Sequence, residues 1–179
     1  MTCIVGVVSG ERVWLGGDSA GVGGYSLAVR KDEKVFSRGP YVMGFTTSYR
    51  MGQLLRYSGE IPTPPADADL MAFMVTDFIG AVRKVLADGG YRRRENEVET
   101  GGTFLVGVSG RLFRVDSDFQ VGEALDGMDA CGSGAEVALG ALTVLAGLLP
   151  GARLERALSA SEQWNAGVRR PFVIVGGAG

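Results

Sequence analysis

Residues 2–18 read Thr2-Cys-Ile-Val-Gly-Val-Val-Ser-Gly-Glu-Arg-Val-Trp-Leu-Gly-Gly-Asp18. Cys3 to Val8 is rich in β-branched residues, Ser9-Gly10-Glu11 has turn composition, and Arg12 to Gly17 is a second extended run, so the stretch reads as a β-hairpin. If Val8 pairs with Arg12 around that loop, the register places Thr2 directly opposite Asp18, with both side chains on one face. A hydroxyl and a carboxylate then meet at the open end of the hairpin.

The pattern returns further along. Phe104-Leu-Val-Gly-Val-Ser-Gly-Arg-Leu-Phe-Arg-Val115 echoes Ile4-Val-Gly-Val-Val-Ser-Gly-Glu-Arg-Val-Trp-Leu15 and predicts a second hairpin. Lys34 to Ser37 and Tyr41 to Thr46, separated by Arg38-Gly39-Pro40, are expected as two more strands of the first hairpin's sheet. Short strands are expected near Gln120 to Glu123 and Met128 to Cys131, and an apolar strand at Phe172 to Val175. Ser48 is a candidate N-cap for a short helix carrying Met51, Leu54 and Leu55. Leu70, Met71, Met74, Phe78, Val82 and Val85 recur at helical spacing and predict a long helix from Asp67 to about Asp88, closed by Gly89-Gly90. Tyr91 to Gly102 is expected as an exposed loop. Ser133 with Glu136 forms a capping box for a buried helix ending at Pro150, and a last helix runs from Leu154 to about Asn165. The order predicts an α+β fold, two antiparallel sheets face to face with helices on their outer sides, in a four-layer αββα sandwich. The 179 residues are expected to form a single domain, 1–179.

Composition narrows the chemistry. A formal charge of −2 with interspersed charges provides no basic field for nucleic acid. The longest apolar run, Val137 to Leu149, carries Gly140, Thr143 and Gly147, so no membrane helix is expected. The N-terminus lacks the pattern of a signal peptide, and Cys3 and Cys131 suit a reducing compartment, so a cytoplasmic location is expected. There is no histidine, which excludes imidazole acid–base chemistry and His-ligated zinc, and no metal or other cofactor is expected. Lys31, Lys34 and Lys84 stand against fifteen arginines. A lysine kept in such a chain hints at a compact ammonium of tunable pKa.

Without imidazole, a hydroxyl can still be activated by a free α-amino group, whose pKa of about 7.7–8.0 lies near neutrality. That chemistry needs an N-terminal Ser, Thr or Cys. Thr2 meets it once Met1 is removed, which a small second residue favours. Lys34 is then placed to hold an ammonium beside Thr2 Oγ, with Asp18 fixing Lys34. The structural alternatives are an ordinary salt bridge for Asp18 and Lys34, a bulge glycine at Gly44, and a helix cap for Ser133.

Thr2 at a strand start, Gly17-Asp18, Lys34-Val35, Met43-Gly44-Phe45 and Cys131-Gly132-Ser133-Gly134 before a helix together resemble the proteasome β-subunit and HslV family of threonine peptidases. The resemblance runs from Thr2 to Val175. It implies Thr2 as nucleophile, Asp18 and Lys34 as its charged pair, Ser133 as the hydroxyl positioning the amine, and the Gly44 N–H as oxyanion donor. Val42 corresponds to the base of the specificity pocket, and Thr46 to a second substrate-binding position. The family carries an Asp late in the chain next to the Ser133 type of hydroxyl. None follows Asp129 here, so Glu162, Gln163 or Asn165 would substitute. The implied activity is hydrolysis of unfolded polypeptide through an acyl ester on Thr2. It would take place in a homo-oligomeric ring or stacked double ring fed by a separate ATPase. The alternatives are a silent ring subunit that keeps Met1, and an amidase of the same class acting on a small molecule.

Overall fold

The computed structural model describes residues 1–176. The first half contains β1 (Ile4–Ser9), β2 (Arg12–Gly17), β3 (Ala20–Gly23), β4 (Ser26–Val29), β5 (Val35–Arg38), β6 (Tyr41–Phe45) and α1 (Tyr49–Tyr57). A longer helical stretch follows as α2 (Leu70–Phe73), a π-helical segment Met74–Phe78 and α3 (Ile79–Asp88). The second half contains β7 (Arg93–Glu95), β8 (Val98–Thr100), β9 (Phe104–Val108), β10 (Arg111–Val115), β11 (Val121–Glu123), β12 (Met128–Cys131), α4 (Ala135–Val144), α5 (Pro150–Trp164) and β13 (Val173–Gly176).

Two antiparallel sheets, ordered β12-β1-β2-β13 and β11-β10-β9-β6-β5, face each other. Strand β6 shows why. Its alternate residues Tyr41, Met43 and Phe45 pack against α1 and α3, while Val42 points the other way, toward Ile4, Val13, Leu15, Leu105 and Leu112 between the sheets. A third core, Cys3, Val5 and Val7 with Ala138, Leu142, Leu154 and Leu158, lies between the first sheet and α4 and α5. Helix, sheet, sheet, helix is the four-layer order expected. Among the described residues, no helix is long and apolar enough to cross a membrane.

Several boundaries differ from expectation. In the first hairpin Ser9 pairs with Arg12 and Ile4 with Gly17, around a two-residue Gly10-Glu11 turn. Of those two only Gly10 has positive φ, 61°, the II′ pattern whose twist matches the strands. The register therefore sets Cys3, not Thr2, opposite Asp18, and the Asp18 N–H donates to the Cys3 carbonyl (3.3 Å). The β5–β6 hairpin does not join the sheet of β1–β2. The edge of β2 is taken by β13, and Val35 and Val42 contribute their apolar surface by stacking on the first sheet. The hairpins β3–β4 and β7–β8 are additional: the first is glycine-rich, and the second is polar and turns through Asn96 and Glu97 at positive φ, so neither shows apolar alternation. Within Tyr91 to Gly102, the stretch from Arg93 to Thr100 is thus a hairpin rather than a loop, and Gly102 is buried.

The long helix begins at Leu70, because the Asp69 carboxylate accepts the N–H groups of Met71 (3.0 Å) and Ala72 (3.2 Å). Helix α4 stops at Val144, and Pro150 instead opens α5 at a position where a missing N–H costs nothing. Ala138 and Leu142 of α4 are buried while Val137 and Val144 face outward, so this helix is buried on one side only.

Gly52 is where α1 crosses β6: an added Cβ would lie 2.1 Å from the Phe45 ring. Gly80, on α3, faces open space. Gly52→Ala is expected to destabilise the protein by about 1–3 kcal/mol. Gly80→Ala is expected to stabilise it by about 0.5–1 kcal/mol. Denaturant unfolding of both variants checks the pair, and equal effects would contradict this packing.

Candidate active site

Thr2 lies two residues before β1, Asp18 directly follows β2, and Lys34 directly precedes β5. Where the open end of the first hairpin meets the start of β5, these three side chains converge. Lys34 Nζ donates to Thr2 Oγ1 and to Asp18 Oδ1, both at 2.9 Å. The Lys34 and Asp18 side chains are 1% and 0% exposed. Asp18 is held by the chain itself: its carboxylate also accepts the N–H groups of Cys3 (2.9 Å), Ala20 (2.8 Å) and Arg169 (3.4 Å). Burial lowers the Lys34 pKa below that of an exposed lysine, opposed by the adjacent Asp18 carboxylate. Thr2 is itself buried, with its hydroxyl donating to the Met1 carbonyl.

On the other side of Thr2 its backbone N–H donates to Ser133 Oγ (3.2 Å). Ser133 Oγ donates to Asn165 Oδ1 (3.1 Å), and Asn165 Nδ2 returns a bond to the Ser133 carbonyl (2.8 Å). Of the three candidates for this place, Asn165 takes it, because it terminates α5 beside Ser133. Glu162 instead bonds the Arg170 backbone and guanidinium. The capping box does not form: α4 starts at Ala135 with Gly134 at its N-cap, and the Ser133 hydroxyl is committed to Thr2 and Asn165. Both flanking glycines are required. Gly132 has φ of 100° and a Cβ there would lie 2.3 Å from the Thr2 carbonyl oxygen, while one at Gly134 would lie 2.1 Å from Ser161 Oγ.

The structure does not bring Gly44 or Val42 to this place. Gly44 is buried between β5 and β9, paired with Val35 and Leu105, and a Cβ on it would strike Ile4 at 2.6 Å. Phe45 N–H bonds the Lys34 carbonyl and Thr46 N–H bonds the Thr103 carbonyl. By the alternation of an antiparallel ladder, the Gly44 N–H points along the sheet toward β9. Val42 lies in the inter-sheet core.

The cleft beside Thr2, about 70 Å³, is lined instead by the turn just beyond β6, with Thr46, Thr47, Ser48 and Tyr49 facing Thr2 and Lys34. Thr46 Oγ1 donates to the Thr103 carbonyl (3.0 Å). Ser48 N–H bonds the Thr46 carbonyl (2.6 Å) across Thr47, which has φ of 62°, so Thr47 sits at the centre of a tight γ-turn of the strained hand. Its hydroxyl accepts the Thr103 N–H (3.2 Å), and its own N–H has no partner among the described residues. Thr47 carries no signal in the sequence, because a threonine gives no cue that it will adopt a left-handed backbone. Tyr49 closes the cleft, its hydroxyl donating to the Ala20 carbonyl (3.3 Å) and its pKa pushed by burial up to about 12. Burial also pushes the Cys3 thiol up to about 12 and raises Cys131, so neither is a thiolate at neutral pH. A larger cavity, about 580 Å³, lies at the opposite end of β5 and β6 against the Arg38–Tyr41 turn and holds none of these groups.

No family model and no curated protein matches the sequence. Among solved structures, the chain is similar to Thiobacillus denitrificans BPH in complex with epoxomicin, at TM-score 0.78 and 18% identity, covering 98% of this chain and 97% of that one. It is similar to eukaryotic HslV from Trypanosoma brucei at TM-score 0.68 and 17% identity, covering 98% of both chains. An Anbu variant from Hyphomicrobium gives TM-score 0.67 at 18% identity, covering 98% of this chain and 80% of that one. At such identities the likeness is one of fold, and the chain has the four-layer HslV and proteasome-like fold, whose strand ends bring Thr2, Asp18 and Lys34 together.

Proposed function

We propose that this chain is a threonine-type endopeptidase that works after loss of Met1. The observation that carries the reading is the buried Lys34 ammonium, 2.9 Å from both Thr2 Oγ1 and Asp18 Oδ1. In the proposed reaction the freed Thr2 amine, positioned by Ser133 and Asn165, takes the hydroxyl proton. Oγ1 attacks the scissile carbonyl carbon, the carbonyl π bond becomes an oxyanion, and the unpartnered Thr47 N–H receives that charge in place of Gly44. Collapse breaks the C–N bond, the leaving amine takes the proton from the Thr2 ammonium, and an acyl ester remains. Water, deprotonated by the same amine, attacks the ester, and the released Thr2 oxygen recovers a proton. Lys34 stays an ammonium throughout and lowers the energy of the developing alkoxide. Thr46 shapes the wall of the cleft.

The likeness to HslV supports a homo-oligomeric ring or stacked double ring that encloses these sites in the cytoplasm, with a separate ring ATPase delivering unfolded polypeptide. Exposed apolar residues such as Tyr25, Val144, Leu149 and Trp164 are available for contacts between copies.

The deciding test is the intact mass of the purified protein before and after epoxomicin, the ligand of the BPH structure. Loss of Met1 with one adduct per chain is expected, and Thr2→Ala should show none and no peptide hydrolysis. A retained Met1 with no adduct would instead assign a silent ring subunit, with the Thr2 hydroxyl left bonded to the Met1 carbonyl.

Lys34→Met is expected to lower kcat by roughly 10²-fold or more, the scale of losing one preorganised donor. Unchanged kcat would overturn the role of Lys34. Asp18→Asn, which leaves the Lys34 ammonium buried without its counter-charge, should cost about 3–5 kcal/mol of stability, measured by denaturant unfolding.

The pH profile of kcat/KM should be a bell. Activity is lost as pH falls and the Thr2 amine protonates, at about 7.7–8.0 or lower beside the Lys34 charge. Activity is lost again as pH rises and Lys34 deprotonates; because burial lowers its pKa, this limb should fall below the ordinary value of 10.5. A profile flat to pH 11 would contradict the requirement for the ammonium.

A further inference from the structure

A second cavity, about 320 Å³, shares the Thr47–Ser48 wall with the nucleophile cleft and extends to the β7–β8 hairpin, where Tyr91, Arg93, Thr100 and Gly101 line it. It is much larger than the cleft of about 70 Å³ beside Thr2. A peptide whose scissile carbonyl reaches the Thr47 N–H passes directly over this shared wall, so one of its neighbouring side chains comes within reach of the cavity.

The lining has a distinct chemistry. Thr47, Ser48, Tyr91 and Thr100 supply hydroxyls, Arg93 is the one charged residue, and no carboxylate takes part. Strand pairing sets Arg93 opposite Thr100, on one face of the hairpin, and Arg94 opposite Glu99 on the other. On that other face the charges are matched: Glu99 pairs with Arg83 and Arg92, and Glu97 with Arg94. Arg93 forms no ion pair or side-chain hydrogen bond among the described residues. The carboxylate nearest to it on its own face is Glu95, one pleat further toward the tip of the hairpin, and Glu95 does not line the cavity. Arg93 is exposed, and its guanidinium, facing a polar cavity without a protein partner, is free to bind a carboxylate through two parallel N–H donors.

We propose that this cavity is a substrate subsite for an acidic side chain, and that Arg93 selects it. The proposal rests on the threonine-peptidase reading and adds a substrate preference to it. A polypeptide is then cut fastest where an Asp or Glu lies close to the scissile bond on the side that passes the β7–β8 hairpin.

The test uses the full-length protein lacking Met1 and peptides that differ only in Glu, Gln or Lys at each of the three positions on either side of one cleavable bond. At one of these positions Glu should be preferred over Lys by at least about tenfold in kcat/KM, mainly through KM, with the preference shrinking as salt is raised. Arg93→Ala should bring that ratio close to one, and Arg93→Glu should invert it. Arg156→Glu makes the same change of charge on the exposed side of α5 and should leave the ratio as it is. If the wild type cleaves the peptides and Arg93→Glu keeps the Glu preference, or if Arg156→Glu removes it equally, the subsite is overturned while the peptidase reading stands. If the wild type cleaves none of them, both fall.

Discussion

Burying an ammonium beside a single carboxylate is a demanding thing for a small domain to do, and the placement of Lys34 against Asp18 organises much of what surrounds it. Asp18 survives in the interior because the chain turns three backbone N–H groups toward it, from Cys3, Ala20 and Arg169, in addition to the Lys34 bond. Those donors come from the start of β1, the start of β3 and the segment before β13. The pair therefore ties together chain segments far apart in sequence. Buried ion pairs add little to stability compared with apolar packing, but removing one partner is costly. A group retained under those terms is more economically explained by what it does to its neighbour, here the Thr2 hydroxyl, than by what it contributes to folding.

The second support of Thr2 comes from the opposite direction. Gly132-Ser133-Gly134 lets the chain pass so close to the Thr2 carbonyl that no side chain fits, and the end of α5 delivers Asn165 to hold Ser133. One side of Thr2 thus meets charge at its hydroxyl and the other meets neutral hydrogen-bonding groups at its nitrogen. The proposed nucleophile, which would carry its own base, would need this division, since a second fixed charge at the nitrogen would shift the amine away from neutrality.

Much of this was legible from residue order. β-branched runs bounded by turn residues mark β1, β2, β5 and β6, the echo of the first hairpin marks β9 and β10, and the absence of histidine leaves Thr2, Asp18 and Lys34 as the groups able to do the chemistry. The register of the first hairpin slipped by one residue, because a three-residue loop and a two-residue II′ turn both suit Ser9-Gly10-Glu11. Asp18 still reached the site, because Lys34 bridges the offset. The hairpins β3–β4 and β7–β8 were not legible, since strands that bury little apolar surface leave no periodic trace. Motif likeness points to Gly44 as an oxyanion donor, yet a glycine serves equally well where two sheets approach closely, and that is the place it fills. Thr47 took the position by the cleft because its hydroxyl and its neighbours' backbone bonds hold a strained turn that its residue type does not advertise.

Met1 lines the cleft and lies against Gly167, where any side chain would collide with it. Departure of this one residue creates the amine, frees the threonine hydroxyl from the carbonyl that holds it, and vacates space in front of both. Masking and obstruction are therefore lifted by a single cut. In the proposed peptidase, a freshly made chain would fold with its nucleophile and the room for a substrate withheld together, and neither would be present without the other.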